Sequence, residues 1–540
     1  MSRRRFIRTS VLLGGGGLAG TAVGAASARA EDTAPDAVFD VRRFGAVGNG
    51  RTKCTRVLQH ALDAAHRAGG GTVVFPAGDW LTGTLHLRSR VALELAPGAT
   101  LVASRDDDDF APRDDPPFAT GSDVETIDFA HALLAGHDLE HVTIAGRGTI
   151  DMNRSRRFGP KPIALKRCRF VTVAGIAIVH SPNYCVSLGG CEDVLVDGVT
   201  IREAYSDGID PDCCRRVRIA NCDVEADDDA LCLKASLLLG ARAATEDVLV
   251  ANCRLKSPSN CFKLGTESTG DFRQVVLANC VFSGRRPTHR DVSDAVEGGG
   301  IAILSVDGGT IDGVSVSNVV MEGVDAPLFV RLGNRGRDQP RRIPGKLRNV
   351  SLSGIVATGA TGTGSIAGLV AHPVEGITLA NVRISTAADG GPARGLAVPE
   401  REDDYPKVTM YGALPAFGLY VRHARDVVLR DVALAAEGSD ARPALVADDV
   451  VGLQVAGLSG RTVRGTGPFV WLHEVRGGLL QGNLVPEDVG VFLRVTGEHT
   501  QGIALGGNGY RSAGPVEVAP EIAPEAVTDA GGPVRRARQA

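Results

Sequence analysis

The chain has 540 residues, a formal net charge of −4, 43% hydrophobic and only 4% aromatic residues, and 68 glycines. A near-neutral balance without a long basic tract excludes an electrostatic nucleic-acid binder. Abundant Gly beside Val, Ile and Leu argues for short strands and tight turns over long helices.

At the N-terminus, Ser2-Arg3-Arg4-Arg5-Phe6-Ile7-Arg8 precedes an apolar, Gly-rich run ending at Ala28-Arg29-Ala30. This is the pattern of a twin-arginine (Tat) export signal with an A-x-A cleavage site. It assigns residues 1–30 to a signal peptide and starts the mature chain near Glu31, secreted or periplasmic. A retained anchor is the competing reading, disfavoured because the run is short and rich in Gly and Ala. No other stretch is apolar for long enough to span a bilayer, so no stable membrane insertion is expected once the signal is removed.

The eleven cysteines of an exported chain invite disulfides. Cys222, Cys253 and Cys280, however, each follow an Asn at one phase of a repeat and read as a row of small apolar side chains. One or two bridges elsewhere stay open. No C-x-x-C pair sets up a zinc site, and neither a metal nor a cofactor is expected.

Residues 31–104 read as an N-terminal cap with first strands. Asp40 to Gly50 is extended and then turns. Thr52 to Ala68 is a helix, because Cys54, Val57, Leu58, Ala61, Leu62 and Ala65 recur at helical spacing and Gly69-Gly70-Gly71 stops it. Thr72 to Val102 is a series of short strands. One helix ahead of many strands suits a cap on the open end of a β-coil. Arg105 to Phe118 is acidic, with Asp106 to Asp109 in a row. It reads as a solvated loop in preference to a calcium loop, since EF-hand spacing is absent.

Within residues 105–508 a five-residue phrase recurs: apolar, variable, apolar, variable, then Gly, Asn or Asp. It starts at Val142, Val171, Val194, Val217, Val248, Val275, Val314, Val350, Ile377, Val427 and Leu453, mostly at intervals of 23–39 residues. Alternating apolar positions at such a period predict an all-β solenoid, a parallel β-helix. The long interval around Ala387 to Gly418 must leave the coil and overhang one face. Residues 509–540 lack the period and read as a disordered tail.

One stretch carries the chemistry. Asp207 lies thirteen positions after Val194, and Asp228 and Asp229 lie eleven and twelve after Val217. Equal phases on successive turns sit about 4.8 Å apart, so the three aspartates should share one outer face, with Lys234 and Lys263 nearby. Turn-forming Asp explains any one of them. Three in register beside lysines point to acid/base chemistry.

Ser181-Pro182-Asn183-Tyr184, Ser206-Asp207-Gly208-Ile209-Asp210-Pro211-Asp212 and Asp228-Asp229-Ala230-Leu231-Cys232-Leu233-Lys234 resemble glycoside hydrolase family 28, the polygalacturonases, over roughly Phe39 to Asn381. The resemblance implies a right-handed parallel β-helix that hydrolyses an α-linked, pectin-type acidic polysaccharide or oligosaccharide with inversion and without metal. It maps the family's Asn-Thr-Asp motif onto Tyr205-Ser206-Asp207 and its Gly-Asp-Asp motif onto Asp227-Asp228-Asp229. By it, Asp229 or Asp228 is the general acid, and Asp207 with the other activates water. A monomer is expected.

The family's Gly-His-Gly motif should fall near Pro258-Ser259-Asn260, where no histidine stands. Its Arg-Ile-Lys motif should fall within Gly298 to Val306, where the chain reads Ile301-Ala302-Ile303-Leu304. The expected substrate-binding set is therefore Lys234, Lys263, Glu267, Asn260, His180 and Arg331. Arg335, Arg337, Arg341 and Arg342, in the basic loop Arg331 to Arg342, carry guanidinium forks suited to uronate carboxylates; a plain solvated loop is the default reading. Arg422 and His423 read as a structural pair. Two rivals stay open: a polysaccharide lyase on the same fold, and a carbohydrate-binding β-helix without turnover.

Overall fold

The helix placed by apolar spacing at Thr52–Ala68 runs from Thr55 to Arg67 in a computed structural model, burying Leu58, Ala61, Leu62 and Ala65. It packs on the first strands, Val38–Asp40, Gly71–Phe75, Leu85–His86 and Val91–Leu95, at the N-terminal end of the coil. The structure describes residues 37–284, 298–387, 394–438, 440–462, 467–484, 486, 489–509, 514–530 and 535–536. The expected signal peptide lies outside them.

From Val38 onward the strands pair in parallel, each with a strand of the next turn. The recurring phrase forms one ladder. Val142, Val171, Val194, Val217, Val248, Val275, Val314, Val350, Ile377, Val427 and Leu453 are matched residue to residue on successive turns. The long interval before Val427 keeps the register, so its extra residues leave the coil and return. This is the parallel β-helix that the repeat predicts.

Asn221, Asn252, Asn279 and Asn318 sit at one corner of the coil with φ of 56°, 57°, 58° and 54°. Asn tolerates this left-handed conformation better than most residues. The side chains also stack: Asn318 Nδ2 donates to Asn279 Oδ1 at 3.2 Å. Cys222, Cys253 and Cys280 follow these corners and are buried. All eleven cysteines are free thiols, so the bridges left open do not form. Each fills a small interior site, and the ladders supply the closure.

The end of the chain departs from expectation. Gly514–Val518 pairs with Val491–Thr496, and Val527–Asp529 pairs with Gln501–Gly506. Val516, Val518, Ile522 and Val527 are buried, so a further turn extends the core. Its apolar pieces are too short and too widely spaced among Pro, Ala and Glu to show a period.

One row of strands differs from the others. Val186–Gly189, Ile209–Asp212, Leu231–Ala235 and Gly299–Ser305 are buried on both faces, and Asn260–Ser268 nearly so. A β-layer with one wet face should alternate. Here segments that leave the coil cover the outer face. The excursion after Ala387 overhangs it as expected: Val398, Tyr411, Leu414 and Ala416 pack on Ala302, Leu304, Phe329 and Tyr420. The acidic loop is tied down by ion pairs, Asp109 with Lys53 at 2.5 Å and Asp107 with Arg154 at 2.8 Å.

Candidate active site

The aspartates stand where two successive turns enter this covered row. Ile209 pairs with Leu231 and Asp212 with Lys234; on the next turn Cys232 pairs with Lys263. Gly208 lets the two turns close up. A Cβ there would meet the Ala230 carbonyl oxygen at 2.4 Å. Its N–H donates to Asp229 O at 2.9 Å, and the Asp229 N–H donates to Asp207 Oδ1 at 3.3 Å.

Two buried lysines organise the carboxylates. Lys234 Nζ donates to Asp207 Oδ2 at 2.8 Å and to Asp210 Oδ1 at 2.6 Å, and lies 3.7 Å from the centre of the Tyr184 ring. Lys263 Nζ donates to Asp229 Oδ2 at 2.7 Å, while Asp229 Oδ1 accepts from Asn260 Nδ2 at 2.7 Å and Ser259 Oγ at 3.1 Å. One oxygen each of Asp207 and Asp229 and the Cys232 Sγ lie within 4.8 Å of one another. The nearest oxygens of the two carboxyl groups are thus closer than the gap of about 6.5–9.5 Å between whole carboxyl groups of typical inverting pairs. Asp207 is held by Lys234 and Asp229 by Lys263.

Burial raises the Asp207 and Asp210 carboxyls above the ordinary range, against the pull of Lys234. Two carboxylates sharing one ammonium titrate as a unit. Burial opposes the Lys234 charge, but Asp207 and then Asp210 outweigh it and raise the ammonium well above its usual value. Lys263 is raised in the same way, chiefly by Asp229.

Asp228 is set apart. Its side chain is 30% exposed, and Oδ2 lies 2.6 Å from Arg157 Nη1. The far edge of that guanidinium holds Glu125, Nη2 to Oε2 at 2.7 Å. Burial pushes the Asp228 carboxyl up, but Arg157 and Lys263 prevail and hold it below the ordinary range.

Asp207, Asp229 and Cys232 are the described residues close enough to share a cation. Their donor set does not suit one, because ammonium groups already occupy the carboxylate oxygens.

Among the expected substrate-binding residues, Lys234, Lys263 and Asn260 converge on the aspartates. Asn260 reaches Asp229 itself. Glu267 is buried beside them, 3.2 Å from Arg337 Nη1. Burial would raise its carboxyl, but the combined charge of Lys234, Lys263, Arg335 and Arg337 lowers it. His180 does not join the cluster. It lies on the strand Ala177–Ser181 and hydrogen-bonds Asp151 at 2.9 Å, with Glu203 at 3.4 Å.

Arg331, expected among the substrate-binding residues, lies on the strand Ala326–Leu332 with its guanidinium engaged by the protein's own backbone. It is buried, and its guanidinium donates to the carbonyls of Gly368, Glu400 and Arg401. It thereby anchors the excursion to the coil. Arg335 is bound to Asp307 at 2.6 Å and Arg342 faces Asp403 at 3.5 Å, while Arg341 is exposed. Arg422 and His423 are structural, as read, joining Glu400 to the coil.

Three participants carry no signal in the sequence. Arg157 comes from the loop after Thr149–Asp151, Glu125 from the short helix Val124–Ile127, and Tyr405 from the excursion. The Tyr405 ring lies 6.0 Å from Lys263 Nζ and 5.5 Å from the Arg335 guanidinium. Phase arithmetic places coil residues only.

The model of glycosyl hydrolases family 28 matches residues 122–393. The chain belongs to this family. The family assignment makes the protein a glycoside hydrolase. A probable polygalacturonase of Vitis vinifera is 26% identical over 374 residues, covering 64% of this chain and 74% of that protein. An endo-polygalacturonase of Pectobacterium carotovorum subsp. carotovorum is 23% identical over 305 residues, covering 51% and 71%. Among solved structures, a hyperthermoactive exopolygalacturonase from Thermotoga maritima superposes with a TM-score of 0.57 at 22% identity, covering 73% of this chain and 92% of that one. At that identity the superposition speaks for the fold.

Proposed function

We propose that this family 28 hydrolase cleaves α-glycosidic bonds of a pectin-type acidic polysaccharide or oligosaccharide by an inverting acid/base mechanism. The observation that carries this reading is the meeting of Asp207, Asp228 and Asp229 on two adjacent turns, each with a different cation. The polygalacturonase relatives support the substrate class. In this reading Asp229 or Asp228 is the general acid, and Asp207 with the other works on the water side; both candidate acids are held by a cation, Asp229 by Lys263 and Asp228 by Arg157. A carboxylate whose pKa is raised is the stronger base once ionised, and burial raises Asp207. Toward later turns Lys263, Arg335 and Arg337 gather around Glu267 and Tyr405, and their positive charge would meet an acidic sugar.

The proposal extends to location. The Arg3-Arg4-Arg5 segment supports Tat export, and no helix among the described residues is long and apolar enough to cross a membrane. Changing the three arginines to Lys is expected to trap precursor in the cytoplasm; normal export would point to another route.

The functional test is a panel of defined pectic oligosaccharides, assayed for new reducing ends and for unsaturated products. New reducing ends without unsaturation support hydrolysis. Unsaturated products would mean a lyase, and binding without turnover would mean a carbohydrate-binding β-helix.

A further inference from the structure

Phe158 is the most exposed large apolar side chain among those described, at 72%. It stands beside the aspartates, next in the chain to Arg157. The Arg157 guanidinium lies 5.7 Å from the centre of its ring, and the same guanidinium holds Asp228 at 2.6 Å. Ring and carboxylate thus flank one cation.

The exposure does not come from a loose loop. The Phe158 N–H donates to Pro182 O at 2.8 Å, and Asn183 Nδ2 donates to Gly159 O at 2.9 Å. A Cβ on Gly159 would meet Pro182 Cγ at 2.8 Å, so glycine is what lets the loop lie flat on that turn. Arg154 ties the start of the loop to Ser104 O and Asp107. The backbone is fixed on both sides, and one aromatic ring is left pointing outward. Phe170, the other exposed phenylalanine among the described residues, has the His141 ring stacked on one face at 4.6 Å.

We propose that Phe158 is a sugar-stacking platform: a subsite, beside Asp228 on the flank toward earlier turns, for a pyranose ring that is not itself cleaved. The C–H face of a pyranose is apolar and buries area on an aromatic ring. A remote sugar gripped equally in the ground and transition states lowers KM and leaves kcat unchanged. The platform rests on the proposed reading of the cleft and names which part of the chain's surface grips the next sugar.

The test compares the parent protein with Phe158→Ala, Phe158→Trp and, as an exposed-aromatic control, Phe170→Ala. The probes are oligogalacturonides and rhamnogalacturonan oligosaccharides of defined length, followed by KM, kcat, calorimetric Kd and Tm. Phe158→Ala is expected to raise KM and Kd about tenfold, with kcat within about twofold and Tm unchanged. Phe158→Trp should restore binding, and Phe170→Ala should match the parent. A parent that cleaves while Phe158→Ala keeps the parental KM and Kd overturns the platform and leaves the hydrolase reading intact. A parent that binds but does not cleave overturns the hydrolase reading, and the Kd ratio then decides the platform alone. A parent that neither binds nor cleaves these probes overturns both.

Discussion

Lys263 Nζ sits 2.7 Å from Asp229 Oδ2, across one turn of the coil, with both groups buried. Here a charged pair is enclosed, and removing one partner leaves an uncompensated buried charge. Lys263→Met is therefore expected to lower stability by about 3–5 kcal/mol. Combining it with Asp229→Asn should recover part of that loss, because the orphaned charge disappears. Urea denaturation of the singles and the double measures this; additive effects would show that the pair does not interact.

Asp229→Asn keeps shape and nearly the volume but removes the transferable proton. Turnover is expected to fall by roughly two to four powers of ten, with oligosaccharide binding largely kept. NMR of the first product formed by the parent gives its anomeric configuration. Because the Asp207 and Asp229 oxygens are close, this measurement decides the stereochemistry. Retention, or a variant as fast as the parent, would assign the aspartates a different mechanism.

Asp207 must be ionised to act as a base, and burial raises its pKa. The acid limb of kcat/KM should consequently lie above the ordinary carboxyl range of about 4. Asp210 pushes Asp207 in the same direction. Asp210→Asn is expected to move the limb to lower pH, since Lys234 then serves Asp207 alone. An unmoved limb would exclude Asp207 as its source.

Asp212 supplies a stability test away from the chemistry. Burial pushes its carboxyl up to about 6, although Ser236 donates to both of its oxygens. The unfolded value is about 3.9, so between these limits the folded state holds a proton that the unfolded state has lost. This contribution is full below pH ~4 and is lost as pH rises through ~6. Asp212→Asn should flatten that slope, worth on the order of 2 kcal/mol. Parallel denaturation series at several pH values would reveal it, and equal slopes would refute it.

Ala302 and Leu304, in the stretch where the family resemblance expects an Arg-Ile-Lys motif, are buried in the apolar cluster beneath the excursion. Asn260, near the expected histidine, bonds Asp229. The cleft is therefore expected to favour rhamnose-containing or decorated oligosaccharides over smooth polygalacturonan. Rapid random cleavage of unsubstituted polygalacturonan would contradict this.

What the sequence determined by itself was everything written in the repeat. The coil and its register follow from phase, and the meeting of Asp207 with Asp229 follows from nearly equal phase, completed by a one-residue register shift between Ile201 and Ala204. The capping helix was legible from its apolar spacing and its glycine stop. The last turn of the coil was not, because Val516, Val518 and Val527 are too few to show a period. The tertiary structure alone decided what covers the aspartates. Arg157, Glu125 and Tyr405 arrive from segments outside the repeat, where no periodicity constrains position. For the same reason Arg331, one more cation in a basic loop, proved to be an anchor. Its partners are backbone carbonyls of Gly368, Glu400 and Arg401, and carbonyls are present at every residue, so no side-chain pattern could mark them in advance.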